Sequence, residues 1–165
     1  MAIITVPNLK LLPQDKTNAC WYFSAKMVHK WASANQKPKV KDPATVNDDR
    51  GNLKGLYESN SGYAPSTCIE LAGRLGLTAM PKKKRGFDDF KLLLANGPIW
   101  AAGIKGGVTG TAHVVVIGGV ADTGLLVLDP LPMNIGTRGW KTWDWMDGFF
   151  SVNDGSIDAN LLVIK

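Results

Sequence analysis

The pattern of hydrophobic positions changes part-way along the chain. Over residues 18–34, apolar and small residues recur at spacings of three, four and one, which predicts an amphipathic helix with Asn18 as its N-cap. The predicted packing stripe comprises Trp21, Ser24, Ala25, Val28, Trp31 and Ala32. Two further helices are predicted, one opening at Ala64-Pro65-Ser66 and ending at Gly76, and one over residues 87–95.

From residue 97 onward, short β-branched or apolar runs alternate with Gly-containing turns, which is typical of strands. The predicted strands cover residues 99–104, 113–120, 125–129 and 161–164. The aromatic stretch 140–150 receives no assignment. Residues 36–63 are polar and rich in Gly, Asn and Asp, and predict a long loop with one short helix.

Helices first and strands second indicate an α+β fold. We therefore expect a single domain over residues 1–165, with a helical half at about 14–96 and a sheet half at about 97–165. The first helix would pack on an antiparallel sheet, and a cleft would run between the halves.

Composition excludes several classes of protein. Two cysteines do not make a disulfide scaffold, and two histidines with them show no ligand spacing for a metal. The net charge is +5, but the run Lys82-Lys83-Lys84-Arg85 has no interleaved aromatic residues, and we interpret it as a solvated loop rather than a nucleic-acid site.

The Gly106-Gly107 and Gly118-Gly119 pairs lack the pattern of a phosphate loop, so no cofactor is expected. No segment is apolar for the ~18 residues of a membrane span, and we see no signal peptide.

Cys20 falls in the first turn of the predicted helix. The unpaired N–H groups and the dipole at a helix N-terminus favour a thiolate, which is the form that attacks a carbonyl carbon. The alternative is a buried structural cysteine, and position alone does not decide between the two. Cys68, in the second helix, is interpreted as a small core residue.

A cysteine nucleophile needs a base, and the chain has only two histidines. His29 follows Cys20 by nine residues on the same helix, which places it on the opposite face. His113 begins a predicted strand after a Gly-rich segment, where it can lean over a cleft. Its alternative interpretation is a polar residue that caps a strand end.

Asp129 ends the next predicted strand, so antiparallel pairing would bring it beside His113 and let it orient the imidazole. Asp122 and Asp144 are rivals, but Asp122 lies in the turn at the far end of the hairpin. The backbone N–H of Cys20 is a candidate oxyanion donor, and the side-chain amide of Gln14 is a second. Gln14 can also be read as an ordinary surface residue.

Gln14, five intervening residues, Cys20-Trp21, and then His113 and Asp129 on successive strands resemble the papain-like cysteine peptidases. Two bacterial branches of that family are similar to this chain. The avirulence-effector branch shares the Gln, the Cys-Trp pair and an Ala- and Met-containing helix. The bacteriocin-processing branch shares a His-led apolar strand and a closing Asp-Pro. The chain differs from the plant and lysosomal enzymes, which have Asn at the position of Asp129 followed by a Ser-Trp that is absent here.

The resemblance implies a papain-like fold and a cysteine endopeptidase, a thiol protease with a catalytic triad of Cys20, His113 and Asp129 and with Gln14 in the oxyanion hole. Trp21, Gly62, Tyr63, Gly106 and Gly107 are candidates to line the substrate-binding cleft, and the alternative interpretation of each is a packing or turn residue.

The bacterial branches imply an effector or interbacterial toxin that cleaves an intracellular protein after small residues such as Gly. Such a protein would be delivered by a specialised secretion system and act in the target-cell cytoplasm, and a cognate inhibitory protein would protect the producer. We expect no nucleic-acid or membrane partner.

Two alternatives stay open. One is another Cys-His-Asp acyl enzyme, such as a glutamine deamidase, a transglutaminase or a peptidoglycan amidase. The other is a non-enzymatic binding module in which Cys20 is structural.

Overall fold

A computed structural model describes residues 1–105, 112–150 and 155–165 of the chain. Its main element is a seven-stranded antiparallel sheet in the order β4-β9-β5-β6-β7-β8, with β1 paired to one end of β6. The strands of this sheet are β1 (Ile3–Thr5), β4 (Thr78–Met80), β5 (Ile99–Ile104), β6 (Ala112–Ala121), β7 (Gly124–Asp129), β8 (Thr137–Thr142) and β9 (Leu161–Val163). The helices are α1 (Cys20–Ala34), α2 (Leu53–Glu58), α3 (Cys68–Leu75), α4 (Phe87–Leu94) and α5 (Trp143–Phe149), and β2 (Asn47–Asp48) pairs with β3 (Gly51–Asn52). The α+β prediction is confirmed.

Strand β6 organises the sheet because it is long enough to hold two strands end to end on one side. Its first part pairs with β5, from Ile104 opposite Ala112 to Ile99 opposite Ile117, and its last three residues pair with β1. A bulge follows Ile117, and a Cβ added at Gly119 would lie 2.8 Å from the carbonyl oxygen of Ile4. The Gly118-Gly119 pair therefore lets the N-terminal arm approach the sheet.

Helix α1 packs across β5 and β6 with the face that the hydrophobic pattern predicts. The predicted stripe is buried except for Trp31, which is half-buried and donates its indole N–H to the carbonyl of Pro7 at 2.8 Å. Two hydrogen bonds fix the helix on the sheet: Ser24 Oγ donates to the carbonyl of Val114, and Trp100 Nε1 donates to the carbonyl of Trp21. These contacts place the N-terminus of α1 next to the start of β6.

Three regions depart from expectation. The aromatic stretch without an assignment is the end of β8 followed by α5. The 36–63 segment holds α2 as its short helix, but also the β2–β3 hairpin. Strand β4 joins the main sheet from the part of the chain assigned to the helical half, and β1 joins it from the segment that precedes that half.

The basic run at 82–85 is not the solvated loop that we expected. Arg85 is buried and donates to the carbonyl of Pro81 at 2.6 Å, while Lys82 Nζ donates to the carbonyl of Ile157 at 2.6 Å. Lys83 and Lys84 are exposed and face Asp89 and Asp147. Two of the four cations thus hold the chain together, so the run is not a free basic patch.

Among the described residues, no helix is long and apolar enough to cross a membrane.

Candidate functional site

Cys20 is the first residue of α1, and the helix begins two residues later than the predicted N-cap. The capping residue is Ala19, which has no side chain able to accept a hydrogen bond, and Asn18 makes its contacts elsewhere. Because no side chain caps this end, the first backbone N–H groups of α1 stay available beside the thiol. Cys20 is half-buried and free, as a nucleophile that must meet both a base and a substrate has to be.

His113 and Asp129 meet at one end of the β6–β7 hairpin. The hairpin register runs from Ala121 opposite Gly124 to Val116 opposite Leu128, so His113 and Asp129 both lie just beyond its last pair. His113 Nε2 is 2.7 Å from Asp129 Oδ1, and the same oxygen accepts the backbone N–H of Leu131 at 2.9 Å. This second bond holds the carboxylate in place, and the pairing leaves Nδ1 of the imidazole for the thiol.

The electrostatic environment of His113 favours the protonated ring. Burial alone would lower the pKa of the imidazole, but its hydrogen bonds to Asp129 and Cys20 and the negative charge of both raise the pKa to about 9. The thiol is thus close enough to the ring to raise its pKa, and both side chains line the same cavity. A cysteine beside a charged imidazole that is held by a carboxylate is the arrangement that activates a thiolate for acyl transfer.

The rival carboxylates do not reach the imidazole. Asp122 lies at the far end of the hairpin, where its side chain accepts the backbone N–H of Ala2 at 3.2 Å. Asp144 is exposed in the first turn of α5. His29 is half-buried on α1 and is absent from the cavity at Cys20.

A cavity of about 300 Å³ opens beside Cys20 and His113. Three of the residues predicted to line the cleft, Trp21, Gly62 and Tyr63, do line it. Gly106 and Gly107 lie outside the described residues. The other lining residues are Thr17, Asn18, Pro65, Cys68, Trp100, Ala102, Lys105, Ala112, Val114 and Leu131.

Most of these lining residues carry no signal in the sequence that would place them at the cleft. Trp100 and Ala102 read as core residues of a buried strand, and they are almost fully buried; only the position of α1 over β5 turns that side of the strand into a cavity wall. Lys105 was readable as a cation next to the Gly-rich segment that precedes His113, but nothing in its position in the sequence shows that it reaches the cleft.

Gln14 is fully buried, in contrast to a surface residue, and it is not among the residues that line the cavity. Its Nε2 donates to the carbonyls of Lys16 at 2.8 Å and Thr17 at 3.1 Å, and its Oε1 is buried without a hydrogen-bond partner among the described residues. Its backbone joins it to the turn after β7, since its N–H donates to Pro130 and its carbonyl accepts from Asn134. Gln14 therefore ties the segment before Cys20 to the segment after Asp129.

Comparison with protein families gives one match. A family model described as papain-like cysteine protease AvrRpt2 matches residues 2–144 and so includes Cys20, His113 and Asp129. A comparison with curated proteins gave no match. Within the described residues, no group of three or more His, Cys, Asp or Glu side chains is arranged to hold a metal ion.

Proposed function

The chain belongs to the family of the papain-like cysteine protease AvrRpt2 and is a cysteine peptidase, and from this premise we propose that Cys20, His113 and Asp129 are its catalytic residues. The observation that carries the proposal is the His113–Asp129 pair at 2.7 Å, with Cys20 and His113 together in the lining of one cavity. In the described part of the chain, His113 is the one histidine that lines this cavity.

The reaction proceeds in two halves. The Cys20 thiolate attacks the carbonyl carbon of the peptide bond, a C–S bond forms, and the carbonyl oxygen becomes an oxyanion. Protonated His113 gives its proton to the leaving amine nitrogen as the C–N bond breaks, which leaves a thioester. Neutral His113 then takes a proton from water, whose oxygen attacks the thioester and releases the acid and the thiolate. Asp129 keeps the ring oriented through both halves.

The first oxyanion donor in this mechanism is the backbone N–H of Cys20, and the second is Gln14. Both amide hydrogens of Gln14 are bonded to carbonyl oxygens, and the longer bond, to Thr17, is the one that an oxyanion would replace. An anionic oxygen is a stronger acceptor than a neutral carbonyl, so the exchange is favourable in the transition state.

We expect Gln14→Ala to lower kcat about 10²-fold, the cost of one missing oxyanion donor, with a smaller change in KM. Steady-state kinetics on a peptide substrate measure the split. Gln14→Glu is the matched control, because it keeps the shape and removes both N–H donors. An unchanged kcat in Gln14→Glu would show that the side-chain amide of Gln14 donates no hydrogen bond to the oxyanion.

As to biology, we propose a bacterial effector or interbacterial toxin that cleaves an intracellular protein after small residues such as Gly. Support comes from the effector-type family match and from the resemblance of the His-led strand to bacteriocin-processing peptidases. In this proposal a specialised secretion system delivers the protein to the target-cell cytoplasm, and a cognate inhibitor protects the producer by filling the cleft.

The experiment is proteomic identification of new protein N-termini in cells that express the wild-type chain, Cys20→Ala or Cys68→Ala. We expect new N-termini that follow small residues with the wild type and with Cys68→Ala, and none with Cys20→Ala. If the wild type produces no new N-termini but converts Gln to Glu in a host protein, the chain is a deamidase, and Cys20 attacks a side-chain amide and releases ammonia instead of cleaving a peptide bond.

A further inference from the structure

Two segments separated by more than 40 positions in the chain meet beside the nucleophile, and one residue joins them. Asn60 Oδ1 accepts the backbone N–H of Asn18 at 3.0 Å, and Asn60 Nδ2 donates to Thr17 Oγ1 at 2.9 Å. In return, Asn18 Nδ2 donates to the backbone carbonyl of Asn60 at 3.0 Å. These three hydrogen bonds, which we call the Asn60 clasp, connect the residues before Cys20 to the segment 61–63, which we call the wall because its Gly62 and Tyr63 line the cavity.

The backbone at Asn60 is also specialised. Its φ is 54°, in the left-handed region that asparagine tolerates better than most residues with a side chain. This turn directs the carbonyl of the next residue, Ser61, to the indole N–H of Trp21 at 3.0 Å. A fourth hydrogen bond therefore connects the wall to the first turn of α1, immediately after the nucleophile.

The far end of the wall is held separately. The Tyr63 ring packs against Trp21 with a centroid separation of 5.4 Å, and the Tyr63 hydroxyl accepts from Arg74 Nη1 at 3.2 Å and donates to Glu70 at 3.2 Å. Arg74 is itself buried and fixed by Asp48 at 2.9 Å. The wall 61–63 is thus fastened at Tyr63 to α3 and at Asn60 to the nucleophile segment.

The two fastenings have different consequences for the cleft. The Tyr63 contacts are made mainly to α3 and to the ring of Trp21, whereas the clasp sets the separation between the wall and the residues that carry Cys20. A substrate chain that lies between Cys20 and Gly62 must fit this separation, so a change in the separation weakens substrate binding.

We propose that Asn60 is a positioning residue that fixes the separation between the nucleophile and the substrate-binding wall, a role that rests on the proposed function. It touches no reacting atom in this proposal. Its effect passes through Thr17 and Asn18 on one side and through Gly62 and Tyr63 on the other.

The test compares Asn60→Gly with Asn60→Asp. Asn60→Gly removes the two clasp bonds that the Asn60 side chain makes and keeps the Asn18 bond to the Asn60 carbonyl. Glycine accepts a φ of 54° without strain, so the defect does not come from backbone strain. Asn60→Asp keeps Oδ1 as the acceptor for Asn18, and its second oxygen can accept the Thr17 hydroxyl. We expect kcat/KM to fall about 10-fold in Asn60→Gly, mainly through KM, and to stay within about 3-fold in Asn60→Asp.

Two further measurements separate the clasp from catalysis. The reaction of Cys20 with iodoacetamide, which needs no wall, should change less than about 2-fold in Asn60→Gly, because His113 and Asp129 are untouched. Exchange of the Asn18 backbone amide with solvent, which needs no substrate, should be faster in Asn60→Gly than in wild type or Asn60→Asp.

Wild-type KM together with wild-type protection of the Asn18 amide in Asn60→Gly would overturn the proposal. An equal loss in Asn60→Gly and Asn60→Asp, or a loss confined to kcat, would also overturn it. If Asn60→Gly folds poorly, Thr17→Val removes only the Nδ2 bond and should give a smaller rise in KM. Failure of the proposed function looks different, since it appears as an inactive wild-type chain while the effect on amide exchange remains.

Discussion

Both cysteines of this chain begin an α-helix but have different surroundings, and α3 follows directly on a 3-10 turn over Pro65–Thr67. Cys20 is the first residue of α1, Cys68 is the first residue of α3, and both line the same cavity. Cys20 is half-buried and contacts His113, which Asp129 holds at 2.7 Å. Cys68 is 2% exposed, and burial together with the nearby charge of Asp158 raises the pKa of its thiol to about 12.

The comparison shows that a helix N-terminus does not by itself make a nucleophile. Both thiols lie at such an end, yet the buried one is held in its neutral form, since desolvation and a like charge oppose ionisation. Cys20 differs from Cys68 in two ways: it is partly exposed, and the β6–β7 hairpin places His113 beside it. In the proposed mechanism the base and the exposure of the thiol, rather than the helix, decide which cysteine reacts.

The largest expected effect is on activity. We predict that Cys20→Ala lowers kcat by about 10⁴-fold or more, because the residues of such a unit act together, while Cys68→Ala stays within about 10-fold of wild type. Kinetics on a peptide cleaved by the wild type measure both.

A labelling control belongs with this pair of variants. A pKa of about 12 leaves roughly one Cys68 thiol in 10⁵ ionised at pH 7, so a thiol-reactive epoxide should modify Cys20 alone. The label should be lost in His113→Ala. Modification of Cys68 at a rate similar to that of Cys20 would end the distinction between the two sites.

The strands that the sequence predicts are those whose hydrophobic pattern is visible within the strand itself. Strands β5, β6 and β7 are buried almost throughout, so they read as continuous apolar runs. Strand β8 is mostly exposed, with a half-buried Gly139 and an exposed Trp140, and it carries no such signal. Strands β1 and β4 have three residues each, and only their pairing partners make them strands.

In the candidate site, too, some contacts follow from a local sequence pattern and others depend on long-range packing. The approach of Asp129 to His113 follows from a hairpin between consecutive strands, which the sequence pattern predicts. The position of Cys68 in the cavity, and the contact of Asn60 with Thr17 and Asn18, depend on how α3 and the 59–63 segment pack against the start of α1. No local pattern encodes that packing, because it joins residues more than 40 positions apart.

The second prediction concerns the positive charge on His113, the histidine beside Cys20. The pKa of His113 in the fold is about 9, above the usual value of about 6.5, so the imidazolium is stabilised below pH 6.5 and this stabilisation is lost as the pH rises through 9. We therefore expect kcat/KM to fall on the basic side with a midpoint near pH 9. Asp129→Asn keeps the oxygen acceptor but removes the charge, and should lower the midpoint and reduce kcat/KM about 10-fold at pH 7.

The pH profile of Asp129→Asn has its own control in Asp122→Asn, which removes a carboxylate from the far end of the same hairpin. That variant should keep the wild-type midpoint. A basic midpoint that is the same in all three proteins would show that another group titrates there, and His113 would then lack the partner that we assign to it.

The smallest expected effect is on stability rather than on activity. Here we expect substitution of Cys68 to matter more than substitution of Cys20. Cys68→Ser places a hydroxyl where a nearly fully buried thiol makes no hydrogen bond within the described residues, and should lower the free energy of unfolding by about 1–3 kcal/mol. Cys20→Ser, at a half-buried position, should cost less than about 0.5 kcal/mol. Urea unfolding of both variants with equal m-values measures the difference. If Cys20→Ser were as destabilising as Cys68→Ser, Cys20 would be a structural residue as well as the nucleophile, and loss of activity in its variants would need a stability correction before it could be assigned to chemistry.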